Sequence, residues 1–261
     1  MNIVVLVKQV PDTWAERKLR DDDKTLDRDS VDAVINELDE YGVEEALRIK
    51  EAGGAETVTV LSMGPERTTE TIRKALSMGA DAAVHVVDDA LRGSDVLATS
   101  AVLAAALNTV EWDLVICSSE STDARMGVMA ALLAERLGAA QLSGARKVTV
   151  DGGAVTIERQ TEDGYDVVKG SLPAVVSVVE KINEPRYPSF KGIMAAKKKP
   201  VTTLTLADIE GVEAGAVGLA GAASEVVSFA PRPPRQAGQV VKDEGDGGVK
   251  VAEFLAGQKL I

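Results

Sequence analysis

The sequence predicts an α/β fold with a doubly wound, mostly parallel β-sheet, and two observations lead to this prediction. Short runs of β-branched residues alternate with helical patterns from residue 3 to residue 137, as is typical of parallel strands joined by helices. The strand candidates are continuous apolar runs without period-two alternation, which indicates burial on both faces. A chain of 261 residues with 45% hydrophobic residues is large enough to bury such a sheet.

The first half of the chain contains four predicted pairs of a strand and a helix. The predicted strands are Ile3–Val7, Thr57–Leu61, Ala83–Val87 and Leu114–Cys117. The predicted helices are Asn36–Ala52, Thr68–Met78, Ser94–Asn108 and Arg125–Leu137. A helix after each strand returns the chain to the start of a parallel neighbour, as a parallel sheet requires.

The segment from about residue 145 to residue 171 has a different pattern. Glycine-containing turns separate three short runs, which predicts antiparallel hairpins. These runs are Lys147–Val150, Val155–Gln160 and Val167–Gly170. The next run, Leu172–Val179, is apolar enough to belong to the main sheet. We therefore interpret residues 145–171 as a hairpin insertion in an α/β domain that spans residues 1–200.

Residues 201–261 form a predicted C-terminal arm. Large apolar residues are few, glycine and alanine are abundant, and one closing helix is predicted at Val249–Ala256. Such a segment cannot bury a core of its own. It is therefore expected either to wrap around another surface or to be loosely held.

Composition excludes several classes of partner. A net charge of −12 and an aromatic content of 3% argue against binding to nucleic acid or to an anionic membrane surface. The apolar stretches are too short or too interrupted for insertion into a bilayer. The partners are therefore expected to be proteins or small molecules.

Cysteine content and the N-terminal residues indicate the compartment. The single cysteine, Cys117, rules out an internal disulfide and any thiolate metal cluster made by this chain alone. The first strand begins at Ile3 without a charged or Arg/Ser-rich leader. Both features predict a cytoplasmic protein.

Polar residues follow three of the predicted strands. Lys8 follows the first, Ser62 to Pro65 follow the second, and Ser118 to Asp123 follow the fourth. Ligands of open parallel sheets bind at such strand ends. Hydroxyl groups and backbone amides before a helix favour a phosphate group there. The alternative is an ordinary polar loop that ends in a helix cap.

Isolated polar residues in the apolar runs give no catalytic constellation. Lys8 is expected to pair with a phosphate or with a carboxylate such as Asp39, or else to be a solvated lysine at a strand end. His85 and Cys117 are expected to be packed residues. Neither has the companions that a catalytic triad or a metal site needs.

The stretch Ile182–Pro200 differs most from its surroundings. Together with the lysine before it, it holds six basic residues and one acidic residue, in a chain that is acidic overall. Pro185 and Pro188 restrict the backbone and predict an ordered, projecting loop. Three apolar residues beyond them are spaced to share one face of a short helix: Phe190, Ile193 and Met194.

Several motifs resemble those of one protein family. The tract I-N-E-P-R-Y-P-S-F-K-G-I-M-A-A-K-K-K-P resembles the signature of the electron transfer flavoprotein beta subunit. The likeness extends to V-L-V-K-Q-V, N-E-L-D-E-Y-G-V-E-E-A-L-R-I-K, S-M-G-P-E-R and A-L-S-M-G-A-D, and so to nearly the whole chain. The resemblance implies an adenine-nucleotide-binding fold and a non-catalytic subunit of a heterodimeric electron carrier. It also implies that the alpha subunit holds most of the FAD and is embraced by the C-terminal arm.

The resemblance further implies that this chain binds AMP and helps to enclose the FAD. The AMP-binding positions correspond here to Leu6, Asn36, Glu37, Leu38, Asp39, Met63, Ser118, Ser119, Glu120, Ser121, Thr122, Asp123, Ala124, Arg125, Met126, Gly127, Val128 and Met129. Four residues depart from the family's usual G-K-Q-A-I-D-G-D loop, with Gly, Lys, Gln and an acid replaced by Ser118, Ser119, Glu120 and Arg125. Arg125 would then supply the phosphate cation in place of the missing lysine, and a neighbouring base or ribose would hold Glu120.

The resemblance implies protein partners as well. Acyl-CoA or other flavin dehydrogenases would dock on residues 182–199, and a membrane quinone oxidoreductase would accept the electrons, as in fatty acid oxidation. Phe190 takes the position of the family's apolar anchor, and an anchor ringed by charge suits a transient interface. The expected partner-binding residues are Glu184, Pro185, Arg186, Tyr187, Phe190, Ile193, Met194 and Lys197. Residues 12–14, which include Trp14, are expected to border the flavin.

Four alternatives stay open at this point. An electron-bifurcating subunit would hold a second FAD in place of AMP. A homodimeric nucleotide-sensing or ATP-hydrolysing protein would share the sheet, but the sequence has no G-x-x-x-x-G-K-S loop and no acidic metal-binding cluster. A pure scaffold would use the strand-end loops for no ligand. The lysines at 197–199 would equally suit a solvated helix end.

Overall fold

The computed structural model describes residues 1–234, 238 and 240–261. They form two compact units, Met1–Val226 and Val227–Ile261. Residues 235–237 and 239, which belong to the predicted arm, lie outside the described residues. Among the described residues, no helix combines the length and the apolar character needed to span a bilayer.

The described residues contain eleven β-strands. They are β1 Asn2–Leu6, β2 Gln9–Pro11, β3 Ala33–Ile35, β4 Thr57–Met63, β5 Ala82–Val86, β6 Leu114–Ser118, β7 Ala140–Asp151, β8 Ala154–Gln160, β9 Tyr165–Ser171, β10 Ala174–Val178 and β11 Val201–Leu204. Nine form one sheet in the order β11-β5-β4-β1-β6-β10-β7-β8-β9, and β2 pairs with β3 in a separate antiparallel ribbon. Neighbours from β11 to β7 are parallel, while β7, β8 and β9 are antiparallel.

The described part of the chain contains the α-helices α1 Glu37–Glu51, α2 Thr69–Met78, α3 Val96–Leu107, α4 Met129–Leu137, α5 Phe190–Ala196 and α6 Gly247–Gly257. Of these, α1 and α3 pack on opposite faces of the parallel strands. Val43 of α1 and Ile3 of β1 belong to one hydrophobic cluster, whereas Val102 of α3 and Val4 of β1 belong to another. Because successive residues of a strand point to opposite faces, β1 contributes to both clusters. The predicted doubly wound α/β fold is confirmed.

β1 lies where the strand order reverses. The chain proceeds from β1 through β4 to β5 on one side, and β6 then pairs with the other side of β1. Ile3 lies beside Leu114 and Val5 beside Ile116. The carboxyl ends of β1 and β6 are therefore adjacent, and ligands of open parallel sheets bind at such a reversal.

The predicted hairpins are present, but β7 begins earlier than predicted. From Ala140 it pairs in parallel with β10, and from Ala145 onward it pairs antiparallel with β8, with a shift of register between Ala145 and Lys147. The run Leu172–Val179 contains β10, which belongs to the main sheet as predicted and lies next to β6. β7 thus connects the parallel sheet to the hairpins without a break.

The sheet continues beyond residue 200, where the sequence predicts the start of the arm. β11 pairs in parallel with β5, and Ile209 and Val217 are buried in the cluster that contains α3. The first compact unit accordingly extends to Val226. In the second unit, α6 confirms the predicted closing helix, and none of its residues is buried.

Candidate functional site

Residues 118–129, here called the strand-end loop, meet the N-terminus of α1 through Asn36. The side-chain amide of this buried residue donates to the carbonyl oxygen of Glu120 over 3.1 Å and accepts from the backbone N–H of Thr122 over 3.0 Å. Asn36 immediately precedes α1 and its own N–H bonds the carbonyl of Lys8. Asn36 therefore joins the residues after β1 through its backbone and the loop after β6 through its side chain, at the start of α1.

The buried carboxylate of Asp39 lies beside Asn36 and bonds residues of both segments that Asn36 joins. Asp39 accepts from the backbone N–H of Lys8 over 2.7 Å, from the amide of Asn36 over 2.8 Å and from the hydroxyl of Ser118 over 2.5 Å. Burial raises the pKa of Asp39 to about 6, although these three hydrogen bonds oppose the shift. The group therefore titrates much closer to neutrality than an ordinary aspartate.

A second buried carboxylate, Asp123, fixes the middle of the loop. It lies 2.8 Å from the ammonium of Lys8 and 2.6 Å from the guanidinium of Arg28. Burial alone would raise its pKa, but the two cations outweigh burial and hold the pKa well below its usual range. The expected pairing of Lys8 with Asp39 is thus wrong for the side chain, because the ammonium reaches Asp123 and only the backbone N–H reaches Asp39.

The second half of the strand-end loop is irregular and exposed. Arg125 and Gly127 have φ angles of 51° and 66°, which a helix cannot accommodate. The predicted helix start at Arg125 is therefore wrong, and α4 begins at Met129. Val128 gives the helix no side-chain cap, so its first-turn N–H groups face the exposed segment. Amides in this arrangement favour an anion.

The structure brings most of the predicted nucleotide-binding positions to one edge of the sheet. Those buried within the protein are Leu6, Asn36, Asp39 and Ser118. The side chain of Asp123 is also fully buried. Those partly or fully accessible are Glu37, Leu38, Met63, Ser119, Glu120, Ser121, Thr122, Ala124, Arg125, Met126, Gly127, Val128 and Met129. The first group therefore packs beneath the strand-end loop, and the second lies at the surface of the protein.

The isolated polar residues behave as predicted. Cys117 is buried in β6, and burial raises the pKa of its thiol to about 12, which leaves it unreactive. His85 is buried in β5 with its Nε2 atom 3.0 Å from the carbonyl oxygen of Gly64. Both are packed residues of the sheet.

The loop at residues 182–199, here called the docking loop, presents an apolar surface. Its helix α5 begins after Ser189, whose hydroxyl caps the N–H of Gly192 over 3.1 Å. Phe190 is 80% exposed, and three further apolar residues are exposed beside it: Tyr187, Ile193 and Met194. The predicted helical spacing of the apolar residues is confirmed.

The basic residues of the docking loop divide into two groups. Arg186 turns inward and bonds Glu44 over 2.7 Å and Glu51 of the same helix, α1. Lys199 donates to the carbonyl oxygen of Leu76 at the end of α2 over 2.9 Å. Lys197 remains exposed, as does its neighbour Lys198. Arg186 therefore anchors the loop to its own chain, whereas the sequence predicts only a role toward partners.

Loss of the Arg186 anchor is expected to destabilise the protein. Its partner Glu44 is only 5% exposed, so Arg186→Ala leaves a desolvated carboxylate without its main cation and lowers the free energy of unfolding by about 2 kcal/mol. Glu51 is 59% exposed, and Glu51→Ala is expected to cost less than about 1 kcal/mol. Urea denaturation measures both variants, and equal losses would contradict this assignment.

A long connection between β2 and β3 covers one side of the site. Trp14 in this segment is 95% exposed and lines a cleft of about 550 Å³ together with Asp12, Ala15 and residues 29–32. Arg17 from the same segment donates to the carbonyl oxygen of Thr122 in the strand-end loop. Trp14 thus stands on a segment that also contacts the candidate nucleotide site.

Three residues of the strand-end loop and docking loop environments are not predicted from the sequence. Arg17 and Arg28 come from the covering segment, and Glu44 comes from the middle of α1. Residues 17–28 hold five basic and four acidic residues, so the charge of this segment does not point to the first two. No local pattern distinguishes Glu44 from the other acidic residues of α1.

The fold and the strand-end loop define a doubly wound α/β protein with a cluster of polar residues at the reversal of its strand order. Residues 23–209 match the electron transfer flavoprotein domain. The chain is 57% identical to the electron transfer flavoprotein subunit beta of Mycobacterium tuberculosis strain H37Rv, over 100% of this chain and 99% of that protein. The chain belongs to the electron transfer flavoprotein beta subunits, a family of electron carriers.

Two more distant relatives show the range of the family. The subunit beta of Thermoanaerobacterium thermosaccharolyticum is 39% identical over 92% of both chains. A protein of Acetobacterium woodii, named caffeyl-CoA reductase-Etf complex subunit CarD, is 35% identical over 92% of both chains. The likeness therefore includes a protein named as part of a larger reductase complex.

Proposed function

We propose that this chain binds AMP and forms a heterodimer with an electron transfer flavoprotein alpha subunit that holds most of the FAD. In this proposal the chain contributes no redox group and no catalytic residue. Electrons enter from flavin dehydrogenases, such as acyl-CoA dehydrogenases of fatty acid oxidation, and leave to a membrane quinone oxidoreductase. The complex operates in the cytoplasm.

The observation that carries the nucleotide proposal is the strand-end loop at the reversal of the sheet. Its backbone is held by Asn36 and by the buried pair of Asp123 with Lys8, while residues 124–128 stay exposed before α4. First-turn amides of α4 and the guanidinium of Arg125 would take the phosphate. AMP in such a place has a structural role, since the site offers no nucleophile and base.

The docking loop supports the proposed contact with dehydrogenases. Phe190 projects from a short helix that Ser189 caps and that Arg186 and Lys199 tie to the body of the protein. An exposed aromatic residue on a fixed support loses little conformational freedom on binding. The exposed lysines near it would favour an acidic partner surface and fast encounter.

The segments proposed to contact the alpha subunit lie elsewhere in the chain. Within the predicted arm of residues 201–261, the part after Val226 would wrap around it, and the exposed apolar side chains of α6, such as Phe254, support this assignment. Trp14 would border the flavin, since its ring is almost fully exposed on the segment that covers the site. Both contacts would bury apolar surface that stays accessible in this chain.

Analysis of bound ligands tests the proposal. The chain is co-expressed with its alpha subunit, the complex is denatured, and the released nucleotides are quantified by chromatography. We expect one AMP and one FAD per heterodimer. Two FAD molecules and no AMP would instead establish the electron-bifurcating alternative. A stable homodimer that hydrolyses ATP would contradict the proposal altogether.

A further inference from the structure

We infer that Asp39 is the positioning residue of the nucleotide site, acting on the strand-end loop through Asn36 and Ser118 and sensing proton concentration in doing so. This inference rests on the proposed binding of AMP. Asp39 is enclosed by protein atoms and none of its contacts is with the exposed part of the loop. It therefore acts on the ligand through other residues.

An ionised Asp39 orients both of its side-chain partners. A carboxylate only accepts hydrogen bonds, so the NH₂ group of Asn36 must face Asp39, and its oxygen must face the N–H of Thr122. The same NH₂ group also reaches the carbonyl oxygen of Glu120 over 3.1 Å. Asp39 thereby sets which backbone groups of the loop Asn36 can bind.

Ser118 gives Asp39 a second connection to the loop. Its Oγ atom lies 2.5 Å from Asp39 and 2.9 Å from the carbonyl oxygen of Glu120. The hydroxyl has one hydrogen, which an ionised Asp39 attracts most strongly because charged acceptors form the stronger bonds. The carbonyl of Glu120 then depends mainly on Asn36.

Protonation of Asp39 has one geometrically allowed outcome. Its Oδ2 atom faces the N–H of Lys8, and its Oδ1 atom faces the NH₂ of Asn36, so a new hydrogen on the carboxyl group can be accepted only by Ser118. The hydroxyl of Ser118 then turns its own hydrogen toward the carbonyl oxygen of Glu120. The loop gains a hydrogen bond, and one negative charge beside the proposed phosphate site disappears.

Both consequences of protonation favour a bound anion. The charged and titratable groups that act on Asp39 are the ammonium of Lys8 and the buried thiol of Cys117, and Lys8 in turn pairs with Asp123, which also pairs with Arg28. Asp123 and Cys117 have pKa values displaced away from neutrality in opposite directions. Asp39, whose pKa lies near 6, is the member of this group that changes charge under mild acid.

Replacement by asparagine cannot reproduce these contacts. With the amide in one orientation its NH₂ group meets the N–H of Lys8, and in the other it meets the NH₂ of Asn36. Either way two donors oppose each other in a buried place. We therefore expect Asp39→Asn to weaken AMP binding about tenfold or more.

The experiment uses the heterodimer with its alpha subunit, freed of nucleotide, and titrates AMP by calorimetry from about pH 5 to about pH 8. Wild type, Asp39→Asn, Ser118→Ala and a matched control, Glu40→Gln, are compared. Glu40 also lies in the first turn of α1, but it pairs with Lys74 of α2. The phosphate of AMP titrates in the same way in every experiment. Dividing the affinity of each protein by the affinity of Asp39→Asn at the same pH therefore removes this contribution and leaves the pH dependence that Asp39 causes.

We expect this ratio to rise severalfold for wild type and Glu40→Gln as the pH falls through about 6. Ser118→Ala is expected to lose the part of that rise that comes from the hydrogen bond of Ser118 to the carbonyl oxygen of Glu120 and to keep the part that comes from the lost charge, so its ratio should rise less than that of wild type. A ratio that is independent of pH, or an Asp39→Asn variant that binds AMP as wild type does, would overturn the inference and leave the proposed function intact. If no variant binds AMP, the proposed function itself fails. Melting temperatures at saturating AMP verify that each variant is folded.

Discussion

Phe190→Ala is expected to lower kcat/KM for electron transfer from a partner dehydrogenase by about 30-fold or more. Its ring is 80% exposed on a helix that intrachain hydrogen bonds and ion pairs hold in place, which is the arrangement of a binding hot spot. Truncation of such an anchor costs about 2 kcal/mol or more of binding free energy. Stopped-flow measurement of flavin reduction at increasing concentrations of the complex would show the loss mainly as a higher KM.

An exposed apolar residue far along the sheet serves as the control for Phe190. Val167 on β9 is exposed and lies outside the docking loop, so Val167→Ala is expected to leave kcat/KM within about twofold of wild type. Thermal unfolding of both variants should match wild type. If a Phe190→Ala complex accepted electrons with unchanged kcat/KM, the proposal that dehydrogenases bind the docking loop would be contradicted.

Asp123→Asn is expected to lower the free energy of unfolding by about 3 kcal/mol and to release the bound nucleotide. The fully buried carboxylate neutralises two cations, Lys8 and Arg28, which would then repel each other across a neutral amide. Breaking a buried ion pair costs about 3–5 kcal/mol, and the partial exposure of both cations places this case at the lower end. Denaturation followed by fluorescence and by nucleotide release would measure both effects.

The dependence of this loss on pH has a definite sign. The folded-state pKa of Asp123 is depressed, so its contribution is present above the ordinary aspartate pKa and declines only as the pH falls toward the depressed value. The difference between wild type and Asp123→Asn should therefore be constant from about pH 6 upward. Asp29 is 72% exposed and also pairs with an arginine, so Asp29→Asn should cost less than about 1 kcal/mol. Equal losses in the two variants would contradict the central role of Asp123.

The parallel part of the fold follows from local patterns. The strands β1, β4, β5 and β6 are continuous apolar runs and each is followed by a helical pattern, so their type and order can be predicted. The first half of β7 could not be predicted in the same way, because its parallel pairing with β10 depends on residues more than 30 positions later in the chain. β11 is only four residues long and lacks a pattern that separates it from a loop.

The candidate site also has a part that could be predicted from local patterns and a part that could not. The strand-end positions can be predicted, since every parallel strand ends at the same edge of its sheet. The partner of Lys8 could not, because Asp123 lies 115 residues away and its position depends on a loop with positive φ angles at Arg125 and Gly127. The pairing of Arg186 with Glu44 spans 142 residues and is likewise visible only in three dimensions.

The flavin content of this chain, purified with and without its alpha subunit and verified as folded by circular dichroism, tests the central claim most directly. The claim is that the chain supplies a nucleotide site and a docking surface while the companion subunit holds the redox centre. We expect the absorbance of the heterodimer to show one FAD per complex. The isolated chain is expected to be colourless and to accept no electrons. A folded, solitary chain that carries stoichiometric flavin and is reduced by a dehydrogenase would contradict it.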